Sequence, residues 1–215
     1  IDKIKDIRIR ISSIEPNLIS DEIINLVSKS EVLLPHFHIP LQSGSDYILT
    51  QMKRRYLTKH YRNVIEKINT KIENACIGVD VIVGFPGETE QYFEETVSFL
   101  KSLHISYLHV FTYSERENTK AIEIKPSISV DERSKRSKLL HELSDQKRAN
   151  FYNNSLGKIK PVLVEKSKNG MLFGYTDNYI KTRVRGHVSL GNTIQNVHIL
   201  DIKPDYVESE IVATS

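Results

Sequence analysis

The first half of the chain alternates between strand-like and helix-like patterns of hydrophobic residues. The segment "IRIRIS", from Ile7 to Ser12, places apolar and polar residues alternately, which is the period of a β-strand. The segment from Asp21 to Ser30 instead places its apolar residues on one side of a short helix. Further strands are predicted in "PHFHIPL", "CIGVDVIVGF" and "ISYLHVFTYS", and helices in "YILTQMKR" and "KHYRNVIEKIN".

The central strand and the helix after it indicate the fold class. Cys76 to Phe85 is β-branched and almost continuously apolar, which predicts a strand buried on both faces, as in a parallel sheet. Thr89 to Leu103 follows as an amphipathic helix. Strands separated by helices form βα units with right-handed crossovers. We therefore predict an α/β fold that is the C-terminal part of a (β/α) barrel, a partial TIM barrel.

The pattern changes after residue 128. Ser129 and Glu132 have the spacing of a capping box, and a long basic helix is predicted from there to about Tyr152. After Gly157 five short strands are separated by glycine, asparagine and proline turns, which predicts a small antiparallel β-barrel of OB-like type. The predicted division is a partial barrel over 1–128, a bridging helix over 129–156 and a β-barrel over 157–215.

Composition narrows the class of protein only modestly. Of the 215 residues, 39% are hydrophobic and 27% are charged, which is ordinary for a globular protein, and no apolar run approaches the ~20 residues of a membrane helix. The chain starts at Ile1 within a strand-like segment, so we expect its natural beginning to be missing. The single cysteine, Cys76, favours a cytoplasmic location and cannot by itself hold an iron–sulfur cluster. A net charge of +3 does not by itself predict a nucleic-acid partner.

Two histidines in "LPHFHIPLQSGSD" raise the question of a metal site. His36 and His38 point to the same face of a strand, and with Asp80 they are candidate ligands of a metal-dependent TIM-barrel hydrolase. We favour the interpretation that they are polar residues lining the barrel interior. Asp80 lies within an apolar strand and therefore needs a partner, either a ligand or an arginine such as Arg54.

Two turns and one strand carry other candidate contacts. The turn at Ser43 lies where ligands bind in such barrels, and it also suits a helix cap. Gly84 in "GFPGET" allows a ligand to approach the backbone, although the lysine of a nucleotide-triphosphatase loop is absent. Arg8 and Arg10 share one face of the first strand, where an ion-pair network and a cofactor contact are equally good explanations.

The second domain shows a regular row of cations. Lys181, Arg183 and Arg185 share one face of a predicted strand, spaced ~6.6 Å apart, close to the ~6 Å between phosphates of a nucleic-acid strand. Tyr175 and Tyr179 flank this row and are placed to stack on bases. We predict that this face binds RNA.

Four motifs in order resemble one family over most of the chain. "RIRISSIEP", "PHFHIPLQSGSDYILTQMKRRY", "GVDVIVGFPGET" and "HVFTYSERENTKA" resemble the radical S-adenosylmethionine (radical SAM) methylthiotransferases, and most closely the branch that modifies N6-threonylcarbamoyladenosine in tRNA. The tail, with "GYTDNYI", resembles that family's RNA-binding TRAM domain. The family implies S-adenosylmethionine and 4Fe–4S clusters as cofactors. It also implies tRNA as a partner, and no association with a membrane. Because the cluster cysteines are absent, the full-length protein would be the enzyme and this chain alone would be inactive.

The resemblance also implies which residues contact the cofactor. Gln42 and Ser43 match the turn beside S-adenosylmethionine, Arg54 matches a position that reaches its carboxylate, and Ser13 is placed near the ribose. The adenine side is implied for Asp80, Gly84, Phe111 and Tyr113. Asn118 stands where the family commonly has glycine, a change that asparagine tolerates at positive φ. No metal bound by histidine is expected.

Two other functions remain open from the sequence. The sibling branch of the family modifies an aspartate of a ribosomal protein, and "RIRISSIEP" and "YSERENTKA" favour tRNA over it only weakly. A non-catalytic RNA-binding module is also compatible with the row of cations. That module would keep its RNA affinity after removal of the residues before Ser129.

Overall fold

The structure is a computed structural model and describes residues 7–212. A parallel sheet with four strands is followed by a closed barrel with five. The strands are β1 (Ile9–Ile11), β2 (Leu33–His38), β3 (Cys76–Val83), β4 (Tyr107–Thr112), β5 (Ile159–Lys168), β6 (Met171–Thr176), β7 (Lys181–Arg185), β8 (Ile194–Ile202) and β9 (Val207–Ile211). The helices are α1 (Asp21–Lys29), α2 (Asp46–Gln51), α3 (Thr58–Lys71), α4 (Glu90–Ser102) and α5 (Val130–Asn153), with short 3-10 turns at Pro16–Leu18, Lys120–Glu123 and Val188–Leu190.

The parallel sheet has the order β1-β2-β3-β4, so each strand lies beside its neighbour in sequence. Helices cover one face of the sheet, where Phe37, Val79, Val81 and Leu108 are almost fully buried in one hydrophobic core. This arrangement confirms the prediction of a partial TIM barrel built from βα units. None of the helices within residues 7–212 is long and apolar enough to span a membrane.

The prediction that β3 is buried on both faces is wrong for its second half. Val79, Val81 and Val83 have no exposed surface, whereas Asp80 and Ile82, which point the other way, are partly exposed. Their face carries no helix, and we call it the helix-free face, defined by Arg10, His36, His38, Asp80 and His109. The run of β-branched residues did not reveal that Asp80 points away from the helices.

The second barrel closes in the order β5-β6-β7-β9-β8. The prediction of an antiparallel barrel is wrong for one pair, because β7 and β9 are parallel. An odd number of strands in a closed ring cannot alternate direction throughout, so one parallel pair is required. The interior is filled by small and branched side chains such as Val162, Val164 and Leu172.

Helix α5 connects the two cores. Ser129 caps its start by accepting a hydrogen bond from the Glu132 backbone N–H, but the Glu132 carboxylate binds Arg136 instead of returning to Ser129, so only half of the predicted capping box forms. Leu140 packs into the core of the parallel sheet. At the other end Tyr152 packs into the core of the second barrel.

Candidate functional site

The carboxyl ends of the four parallel strands meet at one edge of the sheet. Ser13 follows β1 and is exposed, Gln42 follows β2, Gly84 follows β3 and Tyr113 follows β4. Gln42 has a φ of 73°, an unfavourable backbone conformation for a residue other than glycine. Two backbone hydrogen bonds to β3 hold it there, so the predicted ligand residues of β2 and β3 are fixed relative to each other.

Arg54 and Glu15 form an ion pair beside the end of β1. One terminal nitrogen of Arg54 lies 3.1 Å from Glu15 Oε1, and the Arg54 Nε is buried without a hydrogen-bond partner. Arg54 also lines an open groove of about 610 Å³. A carboxylate ligand would satisfy the free guanidinium edge, while the partly exposed Glu15 carboxylate would accept from an amine. The pair therefore suits the two charges of an amino acid.

Ser43 lies in the turn after β2, but its hydroxyl is enclosed. Its side chain has no exposed surface, and its hydroxyl is 3.2 Å from that of Thr96 on α4. Ser43 Oγ also accepts a hydrogen bond from the Ser45 backbone N–H. Packing against α4 therefore encloses the Ser43 hydroxyl, and the cofactor contact of this turn stays a prediction.

Gly84 is required for a reason other than a ligand. It has a φ of 75°, and a Cβ at this position would lie 2.3 Å from Cγ of Arg133 on α5. Its N–H donates a 2.6 Å hydrogen bond to Glu88, which also binds Arg136. Burial raises the pKa of Glu88 above its usual value in spite of these hydrogen bonds. The end of β3 is thus held by a buried ion pair, and the adenine contact of Gly84 stays a prediction.

The aromatic residues at the end of β4 differ in environment. Phe111 is 52% exposed and free to contact a ligand. Tyr113 packs edge-on against Phe85, with the guanidinium of Arg133 over its ring. Asn118 adopts a φ of 63°, as predicted for a residue in place of glycine.

Asp80 pairs with two histidines on the helix-free face. His38 Nε2 lies 2.6 Å and His109 Nδ1 lies 3.4 Å from the same oxygen of Asp80. Burial alone would raise the pKa of Asp80, but the hydrogen bonds from His109 and His38 outweigh it and keep the pKa below its usual value. Of the partners considered for Asp80 from sequence, Arg54 is not the one observed, because Arg54 binds Glu15.

The metal site of His36, His38 and Asp80, the alternative that the sequence analysis did not favour, is not formed by these three side chains. His36 Nε2 lies 3.1 Å from the Tyr107 hydroxyl, away from Asp80. Burial, followed by the nearby charge of Arg10, lowers the pKa of His36 to about 4, so the ring is neutral. Within the described residues, the three side chains close enough to share an ion are His38, Asp80 and His109.

The tyrosines predicted to stack on bases lie between the two domains. Tyr175 and Tyr179 stack on each other with ring centroids 4.7 Å apart, and Tyr179 also contacts His36. The guanidinium of Arg10 lies 4.6 Å from the Tyr179 ring. These contacts cover one face of each ring, and stacking of bases on the rest stays a prediction. Of the two explanations of Arg10 from sequence, an ion-pair network is not observed within residues 7–212, and the cofactor contact stays a prediction.

The cations on β7 alternate with interior residues as predicted, but one of them is paired with a carboxylate. Lys181 and Arg185 are exposed, while Thr182 and Val184 face the barrel interior. Arg183 binds Glu208 of the neighbouring strand and lies over the Tyr206 ring. Two of the three predicted RNA-binding cations are therefore without an ion-pair partner within residues 7–212.

The residues of this chain do not fit an iron–sulfur cluster. Cys76 is its one cysteine and is 1% exposed. Burial raises the pKa of the Cys76 thiol to about 12, whereas a cluster ligand must be a thiolate.

Comparisons with known proteins agree with this geometry. The family model described as the radical SAM superfamily matches residues 1–100. Coproporphyrinogen III oxidase (HemN) from Escherichia coli, described as a radical SAM enzyme, shares the fold with a TM-score of 0.53 at 16% identity, over 64% of this chain and 32% of that one. The parallel sheet thus has the fold of a partial TIM barrel, and the part of the chain that carries it is similar to the radical SAM superfamily.

Relatives narrow the class further. The chain is 38% identical over 210 residues to "Threonylcarbamoyladenosine tRNA methylthiotransferase MtaB" of Bacillus subtilis, covering 95% of this chain and 47% of that protein. It is 39% identical to the protein of the same name from Aquifex aeolicus, over 87% of this chain and 45% of that one. It is 34% identical to "tRNA-2-methylthio-N(6)-dimethylallyladenosine synthase" of Endomicrobium trichonymphae, over 95% and 49%. The chain is similar to radical SAM methylthiotransferases and spans about half the length of these relatives.

Proposed function

We propose that this chain is the substrate-side half of a tRNA methylthiotransferase that acts on N6-threonylcarbamoyladenosine in the cytoplasm. The observation that carries the proposal is the similarity to relatives of that name over almost the whole chain. When bound, S-adenosylmethionine would supply the adenosyl radical that removes hydrogen from the substrate. The cluster ligands must come from residues outside this chain, because its single cysteine is buried.

Arg54 and Glu15 are the residues we propose for the amino-acid end of S-adenosylmethionine. Arg54 would bind the carboxylate, as expected from the sequence, and Glu15 would accept from the amine. Ser13, Gln42 and Phe111 lie along the same edge of the sheet and would contact the nucleoside end. Sequence reasoning did not identify Glu15, although it lies inside a motif of the family resemblance.

The second barrel is proposed to be a TRAM domain that binds tRNA. Support comes from the closed five-stranded barrel and from the exposed Lys181 and Arg185 on one face of β7. Tyr175 and Tyr179 are proposed to support the domain interface, since they stack on each other and contact Arg10 and His36 of the first domain.

Substitution of the free cations should change the salt dependence of RNA binding. We expect Lys181→Ala and Arg185→Ala each to weaken tRNA binding and to reduce the slope of log K against log salt by about 1, because each removes one phosphate contact. Arg183→Ala should have a smaller effect, because Glu208 already neutralises that charge. The control is Lys29→Ala, an exposed lysine at the end of α1. Equal slopes for all variants would contradict the proposed RNA face.

The reaction itself is tested by nucleoside analysis of cellular tRNA. A bacterial strain without its own threonylcarbamoyladenosine methylthiotransferase would receive the full-length protein that contains this chain. We expect mass spectrometry to detect the 2-methylthio derivative of N6-threonylcarbamoyladenosine, and Arg54→Ala to remove it. Methylthiolation of dimethylallyladenosine alone would instead assign the protein to the other group of relatives. Absence of both products from a strain with folded protein would refute the proposal.

A further inference from the structure

The helix-free face contains a positive charge that lacks a carboxylate partner. Within residues 7–212 no ion pair is formed by Arg10, and its Nε is buried without a hydrogen-bond partner. Its contacts are the ring faces of Tyr179 and Tyr175, at 4.6 and 5.6 Å. Stacking uses the flat face of a guanidinium and leaves the N–H groups at its edge available. A planar, fixed arginine of this kind is suited to a carboxylate.

His38 and His109 lie on the same face, between Arg10 and the carboxyl ends of the strands. Asp80 is directly paired in register with His109, and it lies two residues along β3 from Gly78, the partner of His38. Arg10 lies beside His36 in the sheet. It is therefore two strand residues, roughly 6.6 Å, further from the carboxyl ends of the strands than His38. Polar and cationic groups therefore continue from the cofactor edge down to Arg10.

The hydrogen bonds of the cluster orient both rings. His38 uses Nε2 and His109 uses Nδ1 towards Asp80, so His38 Nδ1 and His109 Nε2 are left for other partners. A separation of 2.6 Å between His38 and Asp80 is that of a charge-assisted hydrogen bond, shorter than the spacing of two ligands around one metal ion. The cluster is therefore better suited to hydrogen bonding with an organic group.

The two groups of relatives differ in what this face would have to accept. A threonylcarbamoyl group carries a carboxylate, a hydroxyl and amide N–H groups, whereas a dimethylallyl group is a hydrocarbon. Burying a hydrocarbon against Arg10 and the cluster would leave their polar atoms without partners, which is costly. Identities of 38% and 34% to the two groups do not separate them as clearly as this chemistry does.

We propose that Arg10, His38 and His109 recognise the anionic substituent on N6 of the target adenosine, with Asp80 positioning both rings. Arg10 meets the carboxylate, and the free ring nitrogens of the histidines hydrogen-bond to the remaining polar atoms. This inference rests on the proposed function, because it assumes that the chain binds a modified tRNA adenosine.

The test is equilibrium binding of the purified full-length protein that contains this chain to three anticodon stem-loops. They are identical except that the target adenosine is unmodified, dimethylallylated or threonylcarbamoylated. We expect the threonylcarbamoyl loop to bind at least about tenfold more tightly than the others, because hydrogen bonds to a charged group contribute at least this much. Arg10→Gln should weaken binding of the threonylcarbamoyl loop more than binding of the other two, so that the preference is lost.

Two further variants keep the test decisive. His109→Gln changes an exposed side chain, so it should fold normally and also reduce the preference. Arg185→Gln, on β7, should lower binding of all three loops by the same factor. Circular dichroism and thermal unfolding would verify that Arg10→Gln is folded.

The outcomes separate this inference from the proposed function. Equal binding of the three loops by the unsubstituted full-length protein would overturn the recognition site and leave RNA binding intact. An equal loss for all three loops in Arg10→Gln would also overturn it, because Arg10 would then be a general phosphate contact. A preference that disappears with a chelator would assign recognition to a metal ion at the cluster. Binding no stronger than to an unrelated hairpin would refute both proposals.

Discussion

Arg136→Met is expected to lower the free energy of unfolding by about 3–5 kcal/mol at neutral pH, the usual cost of removing one partner from a buried ion pair. Arg136 is 5% exposed and Glu88 is fully buried, with 2.9 Å between their charged atoms. Without Arg136, the Glu88 carboxylate would keep one hydrogen bond, from the Gly84 N–H. Urea denaturation monitored by circular dichroism measures the loss.

The pH dependence of this loss gives a second measurement. Burial already raises the pKa of Glu88, and removal of the cation raises it further. A folded state with a raised carboxyl pKa binds more protons than the unfolded chain, so its stability falls as pH rises through that range. The deficit of Arg136→Met should therefore be smaller at acidic pH than at neutral pH.

A neighbouring lysine provides the control for Arg136. Lys135 is 78% exposed, and its Nζ lies 3.8 Å from Glu132 Oε2, which is a long and solvent-exposed ion pair. Lys135→Met should therefore change the free energy of unfolding by no more than about 0.5 kcal/mol. A similar small change for Arg136→Met would show that the ion pair does not stabilise the end of β3.

Arg54→Ala is expected to weaken binding of S-adenosylmethionine by about 10- to 100-fold, the loss expected for a charged hydrogen-bonding group facing a carboxylate. The reason is the buried Arg54 Nε, which has no protein partner, beside a carboxylate that would take the amine. Calorimetric titration of the full-length protein with S-adenosylmethionine would measure the affinity.

The adjacent arginine is the matched control for this experiment. Arg55 is exposed in the same segment, and Arg55→Ala should leave the affinity unchanged. Arg54→Lys should recover only part of the loss, because a lysine cannot offer two parallel N–H groups. Wild-type affinity in Arg54→Ala would exclude Arg54 from the cofactor site.

Local patterns were sufficient for the elements but not for the partners of their side chains. The period of β1 and the amphipathic α1 and α4 were visible in the sequence, because burial on one side imposes a repeat. The pairing of Asp80 with His109 depends on the register of β3 and β4, which the sequence of neither strand reveals. The burial of the Ser43 hydroxyl could not be predicted for a similar reason, since its neighbour Thr96 lies in a helix far along the chain.

The second domain shows the same limit. Its alternating strands were predicted correctly, because interior and exterior positions differ in hydrophobicity. Glu208, which neutralises Arg183, lies on β9. This strand lies beside β7 because the five-stranded ring closes there. Tyr175 and Tyr179 likewise meet Arg10 across the domain boundary, so the tyrosines alone suggested RNA stacking.

Helix α5 determines where the protein can be divided. Its Leu140 belongs to the first core and its Tyr152 to the second, so a cut after the helix would strip Tyr152 from the barrel. If the second barrel were exchanged between relatives, the end of α5 that packs on it would have to be exchanged as well. In evolution the helix and the barrel are expected to be inherited as one unit.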